Sequence, residues 1–485
     1  MDDTAQITMA QPAMAGRPRP LVIVTAALVT ALAGCRIAAV NVQPRVVTAF
    51  EGARVITGDG SQPIVDAVLV VRDGIITDVG ARLAVTPPAD ARRVDLRGRT
   101  VIPLLVNVHG HVGYMRGTTT DKAHYSRENV LDHLRRLAYY GVGAIQSLGT
   151  DRDGVELRIR DEQHAGTLSD LSLARLFTAG NGLVAPTPGS TNGGPFFATD
   201  VVHEATSAAD ARKYVRALAA KKPDIVKLWV DNRGGTKAKL TPEVYRAIID
   251  EAHAQQLRAI AHVYDLDDAK GLVRSGVDGL AHMVRAEPGT DEELVALIKS
   301  RNVFACTTMS IQKALVDDPS WLDDPALAET QPADVVAAWK AGLAKASPDA
   351  IGRAKAGYAL LERSLKTLSD GGARIVLCGD TGLNSQAPGF TEHRELEAMA
   401  RAGMPPLQAI RAATSVGAEV LGLRGSGTLA AGKQADFIVL TANPLDDIAN
   451  SRRIAAVYRN GTAIDRERLR TAWARQAGAT SPPSE

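Results

Sequence analysis

Apolar and polar residues alternate in short runs from Ala49 to Val101, in ARVITGDGSQPIVDAVLVVRDGIITDVG and then RRVDLRGRTVIP, the period of two expected of half-buried strands. Gly58-Asp59-Gly60 and Asp73-Gly74 are the turn signals between them. The same texture returns in GSGTLAAGKQADFIVLTANP and IAAVYRNGTAI, so residues 48–101 and 424–466 are expected to combine into one small β-sandwich domain built from both chain ends. Between them, over residues 102–423, short apolar runs alternate with helical patterns, the signature of βα units and a parallel sheet. Eight runs read as strands: 104–111, 144–149, 175–180, 225–231, 258–264, 279–284, 302–308 and 374–380. Eight is the barrel number, and no glycine-rich phosphate fingerprint follows the first strand, so an α/β (β/α)8 TIM barrel is preferred to an open doubly wound sheet.

Helix starts are well marked. Thr241-Pro242-Glu243 offers a cap, a proline at the first helical position and an acid in the first turn, while Ser207–Asp210 and Thr290–Glu293 have capping-box spacing. Residues 310–373 are long for one connection and read as an insertion near the barrel mouth; residues 467–485 are left as a C-terminal tail.

Composition narrows the partners. Hydrophobic residues at 45% and charged residues at 23% are ordinary globular usage, which excludes a disordered or collagen-like chain. Lys and Arg number 56 against 54 acids, too balanced for a nucleic-acid footprint, so a small-molecule substrate is expected. Residues 21–33 form an apolar run behind Arg17 and Arg19, too short to span a bilayer but suited to a signal-peptide core. It ends in Leu32-Ala33-Gly34-Cys35, which resembles the bacterial lipoprotein box. Residues 1–35 are therefore expected to be a leader, Cys35 the lipid anchor and only membrane contact, and the mature protein exported to the periplasmic side. The residues before Met14 fall outside that pattern, and a start at Met14 would give a more usual leader. Of the three cysteines, Cys306 and Cys378 would lie on neighbouring strands, read as two buried thiols with a disulfide as the alternative.

The chemistry concentrates at strand ends. His109 and His111 close the first strand two residues apart, so both imidazoles share the inward face at the carboxyl end, where barrel active sites lie. Lys227 stands in the apolar run DIVKLWVD with Val226, Leu228 and Val230 facing outward, so its amine must be paired, neutral or modified. His262, His282 and Asp380 end later strands. Each alone has a bland reading, as a satisfied core histidine or a loop cap. Their convergence on one ring does not. Tyr264 shares the face of His262 and could hydrogen-bond a substrate carbonyl; His124, Tyr125 and His393 lie in or near mouth loops, and the long stretch 181–203 could act as a lid. His133, His164 and His253 fall in helical text and read as structural.

VIPLLVNVHGH, VKLWVD, AHVYD, GLAHM, LCGDTG and the GTLAAGKQADFIVL tail together resemble the amidohydrolase superfamily, in its imidazolonepropionase and Xaa-Pro dipeptidase-like branch. That resemblance implies two divalent metal ions, zinc foremost, with His109 and His111 on the more buried one and His262 and His282 on the other. It implies that Lys227 carries CO2 as a bridging carbamate, and that Asp380 contacts metal and serves as the base. One departure stands out: where relatives usually have aspartate two residues before the first histidine, this chain has Asn107, which puts metal affinity in question.

The expected activity is hydrolysis of an amide, cyclic amide or dipeptide-like C–N bond, in a protein that assembles with further copies of itself. Lactone or ester hydrolysis at the same site is the alternative. A deaminase would call for a glutamate where Asp265 stands, and a binding lipoprotein without turnover would be missing a ligand or the base.

Overall fold

A computed structural model describes residues 47–186, 201–232 and 235–480. Cys35 and most of the proposed lid lie outside the described residues. The two chain ends meet: Val47–Val55, Ile64–Arg72, Ile75–Ala81, Arg92–Asp95 and Thr100–Pro103 join Phe437–Leu440, Ile454–Arg459 and Thr462–Ala463 in one mixed eight-stranded sheet. Asp73 and Gly74 both take positive φ, 51° and 81°, which suits the two-residue hairpin linking Ile64–Arg72 to Ile75–Ala81. Phe50 packs edge-on against Phe437 and Tyr458, with ring centroids 5.1 and 5.0 Å away. Thr100–Pro103 then leads through Leu104 directly into Leu105–Gly110, so the small sheet anchors the strand that carries His109.

Apart from the short antiparallel pair Met115–Arg116 and Thr119–Thr120, the remaining strands are parallel, and most alternate with helices. One sheet has the order Arg175–Thr178, Val142–Ser147, Leu105–Gly110; the other runs Val202–Glu204, Gly182–Val184, Val226–Val230, Ala259–Val263, Gly279–Leu280, Phe304–Cys306, Arg374–Val376. All eight runs read from the sequence hold a strand, most of them shorter than read. Residues 175–184 pass from one sheet to the other. At the far side, backbone hydrogen bonds join the stretch after the last strand to the first: Val108 N to Leu377 O at 3.1 Å, Asp380 N to His109 O at 2.9 Å and His111 N to Thr381 O at 2.8 Å. Val226, Leu228 and Val230 join a large apolar cluster with Val215, Ile248 and Leu272 of the surrounding helices, which leaves Lys227 on the opposite face.

Thr241 caps Pro242–Ala254 through Val244 N, and Ser207 caps Ala208–Ala219 through Asp210 N. The third expected cap is off by one: Asp291, rather than Thr290, accepts from Leu294 N, because a carboxylate at that position also meets the positive end of the helix. Cys306 and Cys378 are joined in a disulfide, correcting the expectation of two thiols; their Cα atoms face each other 5.2 Å apart across adjoining strands. The stretch after Arg466 is no loose tail. It forms the helix Arg466–Thr480, whose Trp473 is buried and donates to Asp132 at 2.7 Å. Among the described residues no helix is long and apolar enough to cross a membrane.

Candidate metal centre

His109, His111, Lys227, His262, His282 and Asp380 are all buried, and Lys227 and His109 are fully enclosed. The rings of His109 and His111 lie 5.2 Å apart, those of His109 and His282 4.9 Å, and those of His262 and His282 4.4 Å. Asp380 Oδ1 sits 3.1 Å from His111 Nε2 and 3.3 Å from His109 Nε2. One donor atom from each of His109, His282 and Asp380 falls within 4.8 Å of the others. The strand ends thus bring together six side chains far apart in the chain.

Protein groups engage one nitrogen of each ring. His109 donates from Nδ1 to the Ala281 carbonyl at 3.0 Å, and His262 Nε2 lies 2.9 Å from Asp231 Oδ2. His111 Nδ1 lies 3.1 Å from Thr150 Oγ1, and His282 Nδ1 lies 2.8 Å from Thr308 Oγ1 and 2.6 Å from Arg285 Nη2. In His109 and His262 the other nitrogen is left as the one a cation would take, the arrangement typical of metal-binding histidines, while His111 Nε2 contacts Asp380 Oδ1. Burial drives the pKa of His109 and His282 well below the ordinary histidine value, and that of His262 to about 4. These rings are therefore neutral near pH 7, as ligands must be.

Burial also pushes the Lys227 ammonium down to about 7, against the pull of Asp380. Its Nζ makes no hydrogen bond among the described residues, and the centroid of the Trp229 ring is 5.0 Å away. Burial alone would raise the Asp380 carboxyl, but His109, His111 and Arg285 outweigh it and hold the group ionised. Three buried polar atoms in one small volume, His109 Nε2, Lys227 Nζ and Asp380 Oδ1, thus make no hydrogen bond among the described residues, the two histidine contacts of Asp380 being charge contacts. A protein interior rarely leaves such atoms unmet, and imidazole nitrogens with carboxylate oxygens are a donor set for divalent cations. The residues fit such ions.

Backbone geometry holds the cluster under some strain. Asp380 has φ 48° and Thr308 φ 46°, and the latter is unusual for a β-branched residue. At Gly382, φ 95°, a Cβ would stand 2.0 Å from the His111 carbonyl oxygen, so only glycine permits that approach.

Asn107 supports His109 through the backbone rather than through its ring. Its Oδ1 accepts from His109 N at 3.0 Å and Gly379 N at 3.1 Å, while Nδ2 donates to Glu392 Oε1 at 2.6 Å. Tyr264 is 36% exposed at the end of its strand. His124 lies in the short turn Lys122–His124 with Nε2 2.8 Å from Thr119 Oγ1, and the Tyr125 hydroxyl donates to Asp151 at 2.9 Å. His393, expected near a mouth loop, is instead a buried tie within the helix Phe390–Arg401, bonded to Ser451 and the Tyr140 carbonyl. His133 is structural as expected, accepting from Gly113 N and donating to the Met115 carbonyl. Asp231, Thr150, Thr308 and Arg285 are the neighbours that sequence reasoning missed.

Residues 100–464 match the model of the amidohydrolase family, and the chain belongs to that family. It is accordingly a hydrolase acting on carbon–nitrogen bonds, in a family that generally uses divalent metal ions. Ochratoxinase of Aspergillus niger is 27% identical over 450 residues, covering 83% of this chain and 82% of that protein. Among solved structures, a Xaa-Pro dipeptidase with methionine in its active site superposes with a TM-score of 0.67 at 19% identity, covering 86% of this chain and 99% of its own. Phenylurea hydrolase B gives 0.68 at 22% identity, over 88% and 98%. These two show a shared fold.

Proposed function

We propose that this protein hydrolyses an amide, cyclic amide or dipeptide-like bond at a centre of two divalent cations, zinc being the best match to the donors. The scaffold is read as a closed (β/α)8 barrel with a sandwich-like small domain. His109 and His111 would hold one cation, His262 and His282 the other, and Asp380 would contact the first. Lys227 would contribute as a carbamate: its neutral amine adds to CO2, a C–N bond forms and one proton leaves, turning a buried amine into an anion with two oxygens able to bind both cations. The observation that carries this reading is the set of buried atoms, His109 Nε2, Lys227 Nζ and Asp380 Oδ1, that cluster without a hydrogen bond among the described residues.

Bound cations would supply Lewis acidity, easing deprotonation of water and polarising the scissile carbonyl. Asp380, ionised in its pocket, accepts the proton of the attacking water and passes it to the leaving nitrogen. Tyr264, half exposed beside His262, offers its hydroxyl to the carbonyl oxygen, and His124 is the candidate for an outer substrate contact.

The names of the relatives, ochratoxinase, Xaa-Pro dipeptidase and phenylurea hydrolase, give the assay panel its range: N-acyl amino acids, dipeptides and ureas, with esters and lactones beside them. Zinc-loaded protein is expected to cleave at least one amide, and Asp380→Asn to lower its kcat by about 10²–10⁴-fold. Unchanged turnover in Asp380→Asn would overturn the role of Asp380; cleavage of esters alone would move the reading to a lactonase.

A further inference from the structure

On the strand Val226–Val230 the inward positions are Lys227 and Trp229, and the next in that series is Asp231, just past the strand end. Trp229 pairs in register with His262 on the adjoining strand, so Asp231 falls beside the His262 ring. It is 2% exposed, and its Oδ2 lies 2.9 Å from His262 Nε2. A carboxylate accepts at that distance, so Nε2 carries the proton and the ring lone pair is on Nδ1.

We infer that Asp231 is a positioning residue for one half of the metal centre: it fixes His262 as an Nδ1 ligand, whereas His109, tied through Nδ1 to the Ala281 carbonyl, is fixed as an Nε2 ligand. His262 is thus set to face the shared centre with a different ring nitrogen from His109, His111 and His282, which are engaged through Nδ1 by Ala281, Thr150 and Thr308. A carboxylate on the far nitrogen also makes the near one a stronger donor, so Asp231 raises affinity at the His262 and His282 position and leaves the His109 and His111 position unaffected. Strand Val226–Val230 then serves the centre twice, through the Lys227 amine and through the hydrogen bond that orients its neighbour.

This inference rests on the two-cation reading, and the test separates the two. Asp231→Asn keeps the shape and an acceptor oxygen but removes the charge; Asp231→Leu removes the acceptor. Metal content per chain would be measured by elemental mass spectrometry, and zinc affinity by titration against a chromogenic chelator, with circular dichroism to follow the fold. In the wild type two equivalents are expected. In Asp231→Asn one equivalent is expected to weaken about 10-fold and in Asp231→Leu up to about 100-fold, the other holding its wild-type affinity. Two equivalents with wild-type affinity in folded Asp231→Asn, or parallel weakening of both, would overturn the inference. If Asp231→Leu does not fold, Asp231→Asn decides alone. A wild type holding fewer than two equivalents would instead overturn the reading beneath it.

Discussion

Lys227 sets a pH signature that involves no substrate. Its pKa falls from 10.5 in the unfolded chain to about 7 in the folded protein without metal or CO2, because burial disfavours the ammonium. Below pH 7 the amine is protonated in both states and the penalty is complete. Between the two values the unfolded chain binds more protons, so stability rises with pH until the effect ends near pH 10.5. Lys227→Met removes the penalty. Metal-free Lys227→Met is expected to be more stable than metal-free wild type at pH 6, on the order of several kcal/mol, with the gap closing as pH rises. Urea titrations at several pH values check this; an equal gap throughout would mean that the amine is solvated. Five of the six clustered residues were legible because each is metal-competent and placed at the end of an apolar run, and Lys227 because a charge stands in the middle of one. Asp231 is equally legible, lying four residues after Lys227 on the same face at the end of the run 225–231, but a lone acid at a strand end reads as a loop cap until its histidine neighbour is known. Thr150, Thr308 and the Ala281 carbonyl were not legible, since turns bring them in and no periodicity points to a turn's direction.

The turn after the last strand illustrates how an element positions chemistry. Residues 378–382 carry one partner of the disulfide, Asp380 at positive φ, and Gly382 against the His111 carbonyl. Its hydrogen bonds to His109 O and from His111 N tie it to the first strand on both sides of Gly110. Gly382→Ala must push this turn away from His111. A displacement near 1 Å at a reacting group costs roughly 10²-fold in rate, so kcat/KM is expected to fall by about that factor while the chain still folds. Wild-type kcat/KM in Gly382→Ala would contradict the rigidity assigned to the turn. At this scale the sequence was readable for strand existence and for caps with a single good candidate. It was less so at 290–293, where two adjacent capping residues compete, and at 306 and 378, where spacing alone does not tell two thiols from a bond.

Across the whole molecule, the disulfide fits a protein that works in an oxidising compartment. We propose that the protein is exported, with residues 1–35 as leader and Cys35 as lipid anchor. Cells given labelled palmitate are expected to incorporate it into the wild-type protein and not into Cys35→Ser, which should turn up in the soluble exported fraction; equal labelling of both would remove the anchor. The pairing of the two chain ends into one sheet was readable from their shared alternation, and eight of the ten described strands of the parallel sheets from their spacing. The helical nature of the last residues was not, because Trp473 finds its partner Asp132 on a helix more than three hundred residues earlier.

The central claim, that buried imidazoles, an acid and a modified lysine hold a pair of cations, meets its most direct test in anomalous X-ray diffraction from zinc-loaded crystals. Two anomalous peaks are expected, each about 2.0–2.2 Å from imidazole nitrogens, with planar density extending the Lys227 side chain between them. A bare amine with no peak near His109, His282 or Asp380 would contradict the account.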